Sequence, residues 1–195
     1  MAKKVTTNFQ PEYKLWKACA KEDMRSVLEY VHFKDGYAYA SDGYVLVRVP
    51  LSVCTTLDDE QIELLNGFAI HAPLLKMLVG FEKIQVGHIA STVNGVEKIL
   101  AQIVATSGDN IVSVTLSDNL AVTPPDFEKV MSFNGEREPV SNIGLYGDRV
   151  KIIADAMGAN RLELKFRSSK DGVLISPAND ESDVIGMIMP FMLDE

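Results

Sequence analysis

The sequence predicts an α+β protein of repeated units, each a helix followed by antiparallel strands, with the helices on one face and the sheets on the other. Three observations carry this. Asp35-Gly36, Asp42-Gly43, Asn94-Gly95 and Asp171-Gly172 separate short β-rich stretches, the pattern of strands joined by tight turns. Helix-like segments near residues 11–22, 73–80 and 147–157 each precede strands, so one order recurs along the chain. An apolar run at 184–193 stands at the end of the chain, where residues are usually polar, and reads as a strand locked into a sheet followed by a fixed tail.

In the first unit, residues 10–21 read as a helix. Pro11 suits its first turn, and Leu15, Ala18 and Cys19 share an apolar side. Lys14, Lys17 and Lys21 share another side with Arg25 just beyond, and such a row read alone is a solvated face. Residues 27–34, 37–41 and 44–49 read as three strands joined by Asp-Gly turns, the last ended by Pro50, and Asp58-Asp59-Glu60 as a polar connection. In the second unit, 68–71 is a short strand and Pro73 opens a helix through Val79. Residues 83–86 and 111–116 read as strands. Periodicity leaves 96–105 open between strand and helix, and the flanking turns favour strand. The third unit has a strand at 143–145, a helix at 148–157 closed by Gly158, strands at 162–166 and 173–176, and then the apolar end.

Composition narrows the function. The length fits one large domain or two small ones, with apolar residues enough for a sizeable core. No apolar run approaches a membrane span, and no apolar signal core follows the first lysines, so a cytoplasmic protein is expected. Cys19 and Cys54, without CxxC spacing, read as free thiols. A net charge of −8 argues against a surface basic all over, although not against one local basic face. His32, His71 and His88 lack metal-ligand spacing, and His71 in its apolar strand reads as a core residue. There is no glycine-rich phosphate loop and no G-x-S-x-G elbow. An enzyme, a metal site and a cofactor are therefore not expected.

Four landmarks in order resemble the bacterial sliding clamp, the processivity subunit of the replicative DNA polymerase. They are Asp23-Met24-Arg25-Ser26-Val27-Leu28 through Ala40-Ser41-Asp42-Gly43-Tyr44-Val45-Leu46; Phe68-Ala69-Ile70-His71-Ala72-Pro73-Leu74-Leu75-Lys76-Met77-Leu78; Pro125-Asp126-Phe127-Glu128-Lys129-Val130; and Ile188-Met189-Pro190-Phe191-Met192-Leu193. The resemblance implies a DNA-clamp-like fold, shortened to one full domain of two half-units at 1–133 and a final half-domain at 134–195. It implies a scaffold or processivity protein rather than an enzyme. Lys14, Lys17, Lys21 and Arg25 would face duplex DNA without reading its sequence. Replication proteins would insert a short apolar peptide into a groove formed by Ser41, Asp42, Gly43, Tyr44, Val45 and Leu46 with Ile188, Met189, Pro190, Phe191, Met192 and Leu193. Tyr44-Val45 stands where the family has His-Arg, and Met192 where it has Arg. The family's ring holds twelve half-units, so a homo-oligomeric ring of this chain would need about four copies. The alternative is a clamp-like peptide-binding module that forms no ring and binds no DNA.

Overall fold

Asp35 and Gly36 both take positive φ, 51° and 80°, the backbone of a two-residue hairpin turn. They join β1 (Tyr30–Lys34) to β2 (Tyr37–Ser41), with His32 opposite Tyr39. The computed structural model describes residues 8–93, 95–116, 125–132 and 138–193. At the next turn Gly43 has φ 89°, and Asp42 Oδ1 accepts from the Tyr44 and Val45 amides, both at 2.8 Å. β3 (Val45–Pro50) and the single turn α1 (Leu51–Cys54) follow. Asp58 caps α2 (Asp59–Leu64) by accepting from the Gln61 amide. Then come β4 (Ala69–His71), α3 (Ala72–Leu78) with Pro73 in its first turn, β5 (Lys83–Val93), β6 (Val96–Ser107) and β7 (Asn110–Leu116). α4 (Phe127–Met131), α5 (Gly147–Ala156), β8 (Leu162–Lys165), β9 (Val173–Pro177) and β10 (Ile185–Ile188) complete the chain.

Among the described residues the strands form two antiparallel sheets. One has seven strands in the order β4-β1-β2-β3-β10-β9-β8; the other is β5-β6-β7. The apolar end of the chain thus lies inside the larger sheet. β10 pairs with β3, Met187 opposite Leu46 and Ile188 opposite Val45, and welds the first unit to the third. Alternation sends Val45, Val47 and Val49 to one side, where they share a core with Leu15, Ala18, Ile153, Met157, Ile175 and Ile188. Tyr39, Leu46, Leu174 and Met187 gather with Phe127 and Met131 in a second cluster. α5 packs on β3 and β10, and both α3 and α5 pack against a 3-10 turn at Leu15–Lys17.

That turn corrects the first expected helix. Residues 10–21 hold only Leu15–Lys17 in helical form. The Gln10 amide bonds to Cys54 O and the Lys14 amide to Asp155 O, so the backbone is satisfied by distant segments instead of by an α-helical ladder. Residues 26–29 form another 3-10 turn before β1. The strand expected at 143–145 is a single bridge, Gly144 to Phe191. The polar connection at 58–60 begins α2, and β5 runs on to Val93. His71 is partly exposed beside Glu29, at 3.5 Å, while His32 is the buried histidine, its Nε2 donating to Val27 O at 2.8 Å. The expected domain division at 133/134 lies outside the described residues.

Candidate peptide groove and helical face

Where β3 begins and β10 ends, the surface opens into a groove of about 200 Å³. Ser41, Gly43, Tyr44, Val45 and Leu46 supply one side, and Met187 and Met189 the adjoining strand. The Met189 amide donates to Tyr44 O at 2.9 Å, which extends the β3–β10 pairing to the rim. Leu28 also lines it, and Pro125, just before α4, joins Phe127 and Val130 of α4 as a further wall. Tyr44 is 55% exposed, Val130 51% and Met189 40%, so large apolar groups face solvent around a mostly apolar floor.

α4 is too short to hold itself in place. Its position comes from the sheet beneath. Phe127 stacks on Tyr39 with ring centroids 4.9 Å apart. Glu128 accepts from the Tyr39 hydroxyl at 2.7 Å and from Arg48 Nη1 at 3.0 and 3.1 Å, while Arg48 Nη2 reaches Asp183 at 2.7 Å. The Tyr39 hydroxyl and then Arg48 hold the Glu128 carboxyl below its usual range. Asp126 caps the helix through the Lys129 amide.

Among the described residues, two arginines stand at or beside the rim. Arg25, expected to face DNA, lines the groove instead. Asp23 holds it through Nε at 3.0 Å and Nη2 at 3.2 Å, and its Nη2 lies 2.6 Å from where a Cβ on Gly43 would stand. The second is Arg149 of α5, whose guanidinium sits 3.9 Å from the Tyr44 ring centre and 4.7 Å from that of Tyr146.

Several expected groove residues lie elsewhere. Ile188 is fully buried in the core. Asp42 turns its carboxylate onto the amides of its own turn. Phe191 covers Gly144 and packs on Tyr146 at 4.8 Å. With Met192 and Leu193 it lines a separate, more polar recess of about 320 Å³ beside Ser141, Asn142 and Lys170. Pro190 lines neither space. The sequence reading missed Leu28, Met187 and the α4 wall as groove residues. The Pro125-Asp126-Phe127 landmark was a signal for that wall.

On the helical side, Lys17 Nζ lies 2.6 Å, Lys151 Nζ 3.1 Å and Lys14 Nζ 4.0 Å from the Asp155 carboxylate. Lys17 and then Lys151 hold the Asp155 carboxyl below its usual range. Three ammonium groups thus meet one carboxylate. Lys21 and Lys76 are exposed. Among the described residues, no cluster of three or more His, Cys, Asp or Glu could hold a metal, and no helix is long and apolar enough to cross a membrane.

The architecture superposes on solved sliding clamps. A DNA polymerase sliding clamp from Pseudomonas aeruginosa matches at TM-score 0.55, with 15% identity over 96% of this chain and 66% of that one. The DNA polymerase III beta chain of Streptococcus pneumoniae matches at TM-score 0.57, with 12% identity over 99% of this chain and 66% of that one. This chain has the DNA sliding-clamp fold. The sliding clamp from Bartonella birtlesii gives the same picture, TM-score 0.57 and 13% identity over 96% of this chain and 66% of that clamp. The chain therefore spans about 66% of the length of these clamps. No protein-family model matches the sequence, and no curated protein matches it.

Proposed function

We propose that this chain is a non-enzymatic, clamp-type scaffold of DNA replication in the cytoplasm, which recruits partner proteins by a short apolar peptide seated in the groove. One observation carries the reading: Met187 of β10 and Met189 just beyond it lie beside Tyr44 and Leu46, and α4 walls the resulting apolar floor. Methionines adapt to varied apolar side chains, and Tyr44 gives the floor an aromatic anchor point. The test is fluorescence anisotropy with a short peptide carrying leucine and phenylalanine anchors. Binding on the order of micromolar is expected. Val130→Asp, at a position 51% exposed, should abolish it while leaving the fold intact. Sliding clamps from Pseudomonas aeruginosa and Bartonella birtlesii have been solved bound to griselimycin, and titrating that compound into the labelled complex tests whether it shares the site here. Equal binding by the wild type and Val130→Asp would place the peptide elsewhere.

Encirclement of duplex DNA is the second part of the proposal. Among the described residues, Asp155 is the carboxylate that Lys14, Lys17 and Lys151 share, three ammonium groups to one carboxylate, and Lys21 and Lys76 are exposed as well. Arg25 is no longer part of this set. A full domain at 1–133 and a half-domain at 134–195 would close a ring with about four copies. Sedimentation should then show an oligomer, and binding to duplex DNA should weaken steeply with salt. A monomer without salt-sensitive DNA binding would instead establish the peptide-binding module.

A further inference from the structure

We infer that the groove selects partner peptides that carry an acidic residue beside their apolar anchors, and that Arg149 reads it. The inference rests on the groove reading and adds the chemistry of the partner.

The chain carries a net charge of −8, yet among the described residues no carboxylate lines the groove. Neighbouring carboxylates are engaged at home. Asp42 accepts from the Tyr44 and Val45 amides, Asp126 from the Lys129 amide, and Asp148 from the Arg149 amide. Asp23 is held by Arg25, and Glu128 by Arg48 and Tyr39. Arg25 is thereby neutralised, and it is not the cation a partner would meet.

Arg149 differs. Among the described residues no carboxylate pairs with its guanidinium, which is held by the faces of Tyr44 and Tyr146. Tyr44 is itself a groove residue, so the charge stands at the rim, on the side toward the tail. Ring stacking fixes the planar guanidinium and leaves its N–H donors for a carboxylate, and little side-chain freedom is then lost when the pair forms. A peptide leaving the apolar floor past Tyr44 brings its next side chain beside this group. Charge complementarity there separates acidic from neutral and basic peptides.

The experiment compares three dye-labelled peptides with the same leucine and phenylalanine anchors and a flanking glutamate, glutamine or lysine. They are titrated by anisotropy against the full chain, Arg149→Gln and Arg149→Glu, each checked by circular dichroism. The wild type should bind the glutamate peptide about fivefold more tightly than the glutamine peptide, the upper end for an ion pair still touched by water. Arg149→Gln should erase that ratio, and Arg149→Glu should turn the preference to the lysine peptide. Because the readout is a ratio between peptides, a general loss of affinity does not imitate it. Equal binding of the glutamate and glutamine peptides, or a preference that survives Arg149→Gln, overturns the inference and leaves the groove standing. Failure of all three peptides to bind the wild type overturns the groove reading and this inference with it.

Discussion

Gly43 and Gly36 separate two consequences of one kind of substitution. Both have positive φ, 89° and 80°, where a side chain is strained. Around Gly36 an added Cβ would meet nothing within 4 Å, whereas at Gly43 it would lie 2.6 Å from Arg25 Nη2. Each change to alanine should lower stability by about 1–2 kcal/mol through the backbone alone, read as a lower urea midpoint. Only Gly43→Ala should also alter peptide affinity, because Arg25 must swing off the groove rim to admit the methyl. A matching change in Gly36→Ala would show that general destabilisation, and not the rim, moves the affinity.

At the scale of elements, α4 is the groove wall most dependent on its surroundings. Its five residues are fixed by Phe127 under Tyr39 and by Glu128 on Arg48 and Tyr39. Glu128→Gln keeps the shape and removes the charge that draws Arg48 to α4. The side chain of Glu128 is 53% exposed, so the global cost should be below about 1 kcal/mol. The local effect should be larger. The Val130 amide, bonded to Asp126 O at 3.1 Å, should exchange hydrogen faster, and peptide affinity should fall roughly threefold to tenfold because Val130 and Pro125 lose a fixed position. Unchanged exchange at Val130 would mean that Phe127 alone holds the wall.

For the whole molecule, acid should lower stability in two steps. His32 is buried, and burial pushes its ring pKa below the usual value. The unfolded state then binds the proton first, so stability declines as pH falls below about 6.5, the ordinary histidine value. Asp23, Glu128, Asp155 and Asp171 are all held below their usual range, Asp171 to about 2 by Arg167 and then Ser168. Their contribution is fully present above about pH 4, the ordinary carboxylate range, and is lost as pH falls through the depressed values. Urea unfolding measured across pH should show both declines. His32→Gln should remove the upper one and keep the lower; persistence of the upper decline would assign it to another group.

The sequence by itself determined what depends on neighbours along the chain. Asp35-Gly36 and Asp42-Gly43 specify turns by backbone conformation, Pro73 opens α3, and Gly158 with φ 65° follows the end of α5. The alternation of 111–116 fits β7, and the resemblance implied that the residues after the Asp42-Gly43 turn lie near the end of the chain, as the β3–β10 pairing does bring them. Long-range partners decided the rest. The stretch 10–21 has helical spacing, but its amides bond to Cys54 and Asp155, so the lysine row is set by Asp155 and not by a helix face. Phe191 carries the same apolar signal as Met189, yet Gly144 and Tyr146 take it into another recess. The register of β3 against β10, the docking of α4 on Tyr39 and Arg48, and the seating of Arg149 on Tyr44 all join residues far apart in sequence. Local spacing carries no information about such meetings, because they follow from how the sheets and helices pack.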